Sequence, residues 1–349
     1  MKQGDNADPE DDMQARILEI MDRMASLDTA QIKTLIDTVR ADATLSDQMR
    51  YGLIGFAIEN LANSHPKAAL ELLTASSDLL PKGMMAQQTI SSALGRWAKD
   101  SPEAALEWVR ANQSKFPELL DERSKQGLIT GTAANDPKLA FSLIKELGMQ
   151  DSKIYADLAR SMKDPGKRDA FIKLFREHVT DLSGSKRVTV LNEAMQNLYY
   201  NRGTESFASF STWFDSTTPS PAEIESVASG VLSSPKPSDM PAIMGWAYKN
   251  LTIEKSGSSI RNAVSQWTHA DYQAAGQWLV SAPEGPVKNE SIRAYAQTVA
   301  PYEPQTAEQW ALTLPADKAR ELTLKAIHHN WPKADEAGKA AFAEKHGIK

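Results

Sequence analysis

One thirteen-residue pattern, returning at a regular spacing, constrains this 349-residue chain more than any other feature. Trp97-Ala98-Lys99-Asp100-Ser101-Pro102-Glu103-Ala104-Ala105-Leu106-Glu107-Trp108-Val109 has a counterpart from Trp267 to Leu279. There Trp267 and Trp278 are again 11 residues apart, and Ala274-Ala275 take the offsets of Ala104-Ala105. A third copy starts at Val299, with Pro304 at the proline position, Thr306-Ala307 at the small pair and Trp310 closing it. A fourth starts at Trp331, with Gly338-Lys339 at the small pair. Pro81, Pro283 and Pro315 each lie 16 residues before Trp97, Val299 and Trp331. Weaker copies follow Pro66 and Pro137, and the spacing between units is 32–36 residues. The unit reads as a proline turn, a helix ending in an aromatic, a short capped turn, and a second helix opening with small residues. One such helix pair cannot bury its own apolar face, whereas neighbouring pairs packed together bury a continuous core.

The rest of the chain agrees. Apolar residues recur with helical period, as in Ile17, Leu18, Met21, Met24 and then Ile32, Leu35, Ile36, Val39. Val188-Thr189-Val190 is the best strand candidate, and it leads straight into a helical pattern. Asp28 with Gln31 forms a capping box on paper. Ser101-Pro102, Asp136-Pro137 and Asp164-Pro165 place a capping side chain before a proline whose missing N–H has no partner to lose. Gly148 marks a stop. These signals predict an all-α chain of about 20 helices, arranged as a right-handed α-solenoid of stacked antiparallel pairs. The two-helix period resembles tetratricopeptide-type and HEAT-type solenoids. The tetratricopeptide consensus differs, because its tryptophan opens the first helix and here it closes it. The run W-A-x-x-x-P-x-A-A-x-x-W is more similar to repeats in large bacterial proteins. This resemblance covers 58–147 and 263–345 and implies an architecture, with no activity attached.

Four sections are expected: an acidic leader (1–12), an N-terminal array (13–203), a Ser/Thr/Pro-rich section of shorter helices (204–262), and C-terminal repeats (263–349), in one continuous solenoid. The leader holds Asp5, Asp8, Glu10, Asp11 and Asp12 against Lys2, which is −4 of the chain's −6 and leaves a nearly neutral body. Such a segment buries too little apolar surface to fold alone. Read as the native start, it places the protein in the cytoplasm. The same leader also follows removal of an export signal, which would place the protein in the periplasm.

The chain has no cysteine, which excludes disulfide scaffolds, thiolate metal sites and cysteine nucleophiles. No HExxH helix, phosphate loop or nucleophile elbow occurs, and the reading implies no cofactor and no metal. No apolar run is long enough to span a membrane. Trp97, Trp108, Trp267, Trp278, Trp310 and Trp331 occupy repeat positions and read as core. Trp213 and Trp246 fall outside the clear units and are candidates to face a ligand. Residues 153–188 carry nine Lys or Arg against five acids, and Lys167, Arg168 and Arg176 are candidates to touch a partner. The expected function is a non-catalytic scaffold for a protein or peptide. The alternatives are a helical-array enzyme cutting carbohydrate through two carboxylates, or nucleic-acid binding through the 153–188 stretch.

Overall fold

A computed structural model describes residues 27–75, 84–149, 151–162 and 164–348. The leader, the stripe from Ile17 to Met24 and the turn at Pro81 lie outside the described residues. Nineteen α-helices and one 3-10 turn account for the described chain, with no strand among the described residues. In chain order they are α1 (Thr29–Ala41), α2 (Asp47–Ser64), α3 (Pro66–Ala75), α4 (Met84–Asp100), α5 (Pro102–Asn112), α6 (Glu122–Ala133), α7 (Pro137–Glu146), α8 (Ser152–Ser161), α9 (Pro165–Val179), α10 (Gly184–Tyr200), α11 (Phe207–Ser216), α12 (Pro221–Ser233), α13 (Met240–Asn250), α14 (Ile253–Ala270), α15 (Tyr272–Ser281), α16 (Pro286–Val299), α17 (Pro304–Thr313), α18 (Lys318–His329) and α19 (Glu336–His346). No described helix is long and apolar enough to cross a membrane.

The helix ends follow local chemistry. Asp28 and Gln31 exchange both capping-box bonds, and Asp136 and Asp164 accept from the amides of Leu139 and Lys167. Ser101 holds the same position ahead of Pro102 but makes no side-chain cap bond. After α7, Gly148 sits at φ +71, and the amides of Gly148 and Met149 turn back to the carbonyls of Lys145 and Ile144. That is the pair of bonds that closes a helix through a left-handed glycine. Val188-Thr189-Val190 lies inside α10.

The chain divides into two compact units, Met1–Ser161 with Lys173–His178, and Met162–Ile172 with Val179–Lys349. The division runs through α9, so the Ser/Thr/Pro-rich section 204–262 belongs wholly to the second unit, as α11, α12, the 3-10 turn, α13 and the first part of α14. In the first unit α2, α4, α6 and α8 each pack on the next, forming one row, and α3, α5 and α7 pack against that row. In the second unit α10, α12, α14, α16 and α18 form the equivalent row.

Polar links between helices repeat the sequence period. Ser91 Oγ donates to the Arg123 carbonyl, 32 residues on. Asn135 donates to the Lys99 carbonyl, 36 residues back. Arg110 pairs with Glu146 (36 residues), Arg202 with Asp239 (37) and Arg168 with Glu205 (37). A helical repeat held by contacts to its neighbours produces this spacing.

The aromatic pairs sit where the repeat places them. Ring centroids are 6.4 Å apart for Trp97 and Trp108, and 5.9 Å for Trp267 and Trp278. In the fourth copy Trp331 meets Phe342, again 11 residues on, at 4.9 Å. The tryptophan closing the first helix is buried in each case (Trp97, Trp267, Trp331), whereas Trp108, Trp278 and Trp310 are half-buried. Burying about 200 Å² of indole at about 25 cal/mol per Å² contributes about 5 kcal/mol before side-chain entropy.

Candidate functional site

The first unit carries a polar groove of about 510 Å³ that crosses three successive helices of its row. It is lined by Gln88 and Ser91 of α4, by Arg123, Gln126, Gly127 and Thr130 of α6, and by Lys153, Asp157 and Arg160 of α8. Its floor is set by close helix approach. A Cβ at Gly127 would overlap the carbonyl oxygen of Ser91, and one at Gly131 would overlap that of Gly95. The helices α4 and α6 therefore meet backbone to backbone, and the longer side chains on either side of the seam are left to stand along the groove.

Three cations face one carboxylate here. Arg160 Nη1 lies 2.7 Å from Asp157 Oδ1. Among the described residues, no acid makes an ion pair with Arg123 or Lys153. Asp157 Oδ2 is buried without a hydrogen-bond donor among the described residues. Burial pushes the Asp157 carboxyl above its ordinary range, against the lowering effect of Arg160 and Lys153. Ser91 and Thr130 spend their hydroxyl protons on the carbonyls of Arg123 and Gln126. Their oxygens remain as acceptors, and the amides of Gln88 and Gln126 can both donate and accept. The groove thus offers positive charge and main-chain-like hydrogen bonding. Its lining holds a single carboxylate, so the paired acids of glycoside cleavage are not assembled in it.

The second unit treats the same row differently. Ser226 of α12 donates to Asn192 of α10 at 2.5 Å, and Lys255 of α14 pairs with Glu225 of α12. Glu290 of α16, nearly buried, accepts from Arg261 of α14 and, at 2.8 Å, from Arg293. Glu225, Lys255, Arg261 and Glu290 on this row are thus paired between neighbouring helices.

The residues singled out from sequence are spread over different environments. Trp246 is 4% exposed, and its indole N–H donates to Asp215 at 3.0 Å. Trp213 is half-buried. Its N–H donates to Asp169 at 2.7 Å, and its ring face is covered by the Arg168 guanidinium at 4.5 Å. Arg168 itself is 1% exposed and lies 2.6 Å from Glu205, with Phe210 on its other side. It is a core cation with no surface to offer a partner, although its sequence neighbour Lys167 is exposed and Arg176 is half-buried. Lys153 and Arg160 line the groove, and Arg168 is enclosed by Glu205, Trp213 and Phe210.

Sequence reading missed Arg123, Gln126 and Gly127, because they lie outside the basic stretch. The signal that marks them is the pair Gly127 and Gly131, four residues apart on one helix face, set one repeat beyond Ser91 and Gly95. No protein-family model matches this chain, and no curated protein matches it.

Proposed function

We propose that this protein is a non-catalytic helical-repeat scaffold, a right-handed solenoid of antiparallel helix pairs, that binds an extended acidic peptide along α4, α6 and α8. The observation that carries this reading is the groove crossing three helices of one row, in which Arg123 and Lys153 make no ion pair among the described residues and Asp157 is the single lining carboxylate. An extended chain rises about 3.3 Å per residue, and helices pack about 8–10 Å apart. A peptide of about eight residues therefore reaches across all three helices. Carboxylates on it would meet Arg123, Lys153 and Arg160, while its backbone met Gln88, Gln126, Ser91 and Thr130. Recognition of this kind needs no bond chemistry.

The test is a solution binding screen with matched acidic, neutral and basic peptides of about eight residues. Wild-type protein is expected to favour the acidic set, with affinity falling as salt rises. The double variant Arg123→Glu, Lys153→Glu is expected to lose that preference with its helical circular dichroism unchanged. Equal binding of all three sets, or full retention of acidic binding by the double variant, overturns the reading.

A further inference from the structure

The cations of the groove are not equivalent. Arg160 meets Asp157 at 2.7 Å, and that pair carries no net charge. The side chains of Arg123 and Lys153 make no hydrogen bond and no ion pair among the described residues. Of the acids beside them in sequence, two are turned to helix caps. Asp121 accepts from the Ser124 amide at 3.1 Å, and Asp151 accepts from the Ile154 amide at 3.0 Å. The exposed Glu122 lies outside the groove lining. Two positive charges are thus left in the groove without a counter-charge. We propose that they hold one phosphoserine or phosphothreonine side chain of the bound peptide, clamped between Arg123 and Lys153. This names the ligand of the acidic-peptide site and rests on that reading.

Placement supports a clamp. Arg123 and Lys153 are each the second residue of their helix, α6 and α8. From there the lining keeps step, with Arg123, Gly127 and Thr130 on one helix and Lys153, Asp157 and Arg160 on the other. In antiparallel pairs every second helix runs the same way, which sets the two starts side by side. The preceding step of the row has this sense: Gly127 meets Ser91, and Gly131 meets Gly95. The helices α6 and α8 pack on each other. At a spacing of about 8–10 Å, two long cationic side chains reach one group between them. Arg160 stands two turns beyond Lys153, about 10 Å along the axis, and serves the other end.

The chemistry of the two cations selects the group. A carboxylate brings one negative charge and two oxygens. A phosphomonoester brings about −1.5 to −2 at pH 7 and three acceptor oxygens. The guanidinium offers a planar fork of N–H donors and the ammonium offers three more. One phosphoryl group therefore satisfies both cations, where one carboxylate leaves a charge unmatched. The remaining lining of Gln88, Ser91, Gln126 and Thr130 is uncharged and suits a peptide backbone better than a run of acids.

The experiment uses the full chain and fluorescein-labelled peptides of about eight residues, read by anisotropy. Three share one neutral sequence and carry phosphoserine, glutamate or serine at the centre. A fourth carries several aspartates. The phosphoserine peptide is expected to bind about tenfold tighter than the glutamate peptide at neutral pH. That preference is expected to shrink as pH falls through about 6, where the phosphate takes its second proton. Arg123→Gln and Lys153→Gln break no ion pair, and each is expected to weaken the phosphoserine peptide about tenfold and the glutamate peptide less. Equal binding of phosphoserine and glutamate, with groove-dependent binding of the aspartate peptide, overturns the phosphate clamp and leaves the groove standing as an acidic-peptide site. Binding of none of the peptides overturns both. A phosphoserine preference that is unchanged by pH, or by either substitution, places the phosphate elsewhere and overturns this proposal as well.

Discussion

The α4–α6 seam of the first unit and the α10–α16 row of the second are built by opposite means. In the first, α4 and α6 meet through Ser91, Gly95, Gly127 and Gly131, with backbone against backbone. In the second, neighbouring helices of the row are bridged by side chains: Ser226 to Asn192, Lys255 to Glu225, Arg261 to Glu290, and Ser265 to Thr298. The difference has a physical consequence. Where small residues make the contact, polar side chains on the flanks are not needed for packing and stay available along a groove. Where long polar side chains make it, they are consumed by one another. The same repeat thus yields an open polar groove across α4, α6 and α8, and paired side chains between α12, α14 and α16.

The largest expected effect comes from treating a cation in each unit alike. Arg168→Ala in the second unit leaves the largely buried Glu205 without its cationic partner and removes the guanidinium that covers Trp213. Loss of about 4 kcal/mol is expected by urea denaturation. Arg123→Ala in the first unit, where no ion pair is broken, is expected to cost less than about 0.5 kcal/mol. Replacing both partners by apolar residues, Arg168→Met with Glu205→Leu, is expected to recover most of the loss. A cost at Arg123 as large as at Arg168 would erase the distinction between open and closed cations.

The next effect concerns the seam. Gly131→Ala drives a methyl into the Gly95 carbonyl, a backbone atom that cannot swing away. The expected cost is about 3 kcal/mol, with weaker binding of acidic peptides as α4 and α6 separate. Gly230→Ala in the second unit meets Gln196 Cγ at 3.2 Å, part of a side chain that can move. Its expected cost is below about 1 kcal/mol, because the added methyl also favours helix. Similar costs at the two glycines would mean that the seam is no tighter than the side-chain-bridged contacts.

Much of the fold is legible in the chain, and the reasons are local. Helix ends show through because Asp28, Asp136, Asp164 and Gly148 act on backbone groups within a few residues. The repeat shows through because Trp, Pro and the Ala pair recur at constant offsets, and those offsets place Trp331 against Phe342. The environment of a charge is not local. Arg168 and Lys167 are neighbours of the same sign in one basic stretch, yet one is enclosed and the other exposed. What separates them lies 37 residues away at Glu205, and the same offset links Arg202 to Asp239. Trp246 was open to a ligand role on sequence, and its partner Asp215 lies 31 residues back. The groove draws on three helices about one repeat apart, so no short window contains it.

The smallest effects are pH slopes of opposite sign in the two units. In the second, burial pushes the Glu308 carboxyl up, but hydrogen bonds from Lys345 at 2.8 Å and His346 at 2.6 Å outweigh it and hold the group below the ordinary glutamate range. A depressed folded value means the unfolded chain takes the proton first. Its stabilisation is therefore present above about pH 4.3 and disappears as pH falls through the lower folded value. Glu308→Gln is expected to cost about 1 kcal/mol at neutral pH and nothing in acid. The loss would be read as faster hydrogen exchange confined to α19, which Glu308 ties down. In the first unit, burial holds Asp157 above its ordinary range despite Arg160 and Lys153. Here the folded chain takes the proton first, so the penalty of the buried charge is present above the raised value and is relieved as pH falls through it. Asp157→Asn is expected to remove that relief and leave neutral-pH stability unchanged or higher, since Arg160 is more than half exposed and loses little with its partner. It also removes the one negative charge of the groove lining, so acidic peptides are expected to bind about twofold tighter. Parallel pH slopes for the two variants would show that Asp157 is a paired structural acid like Glu308, and that the first unit's row is closed after all.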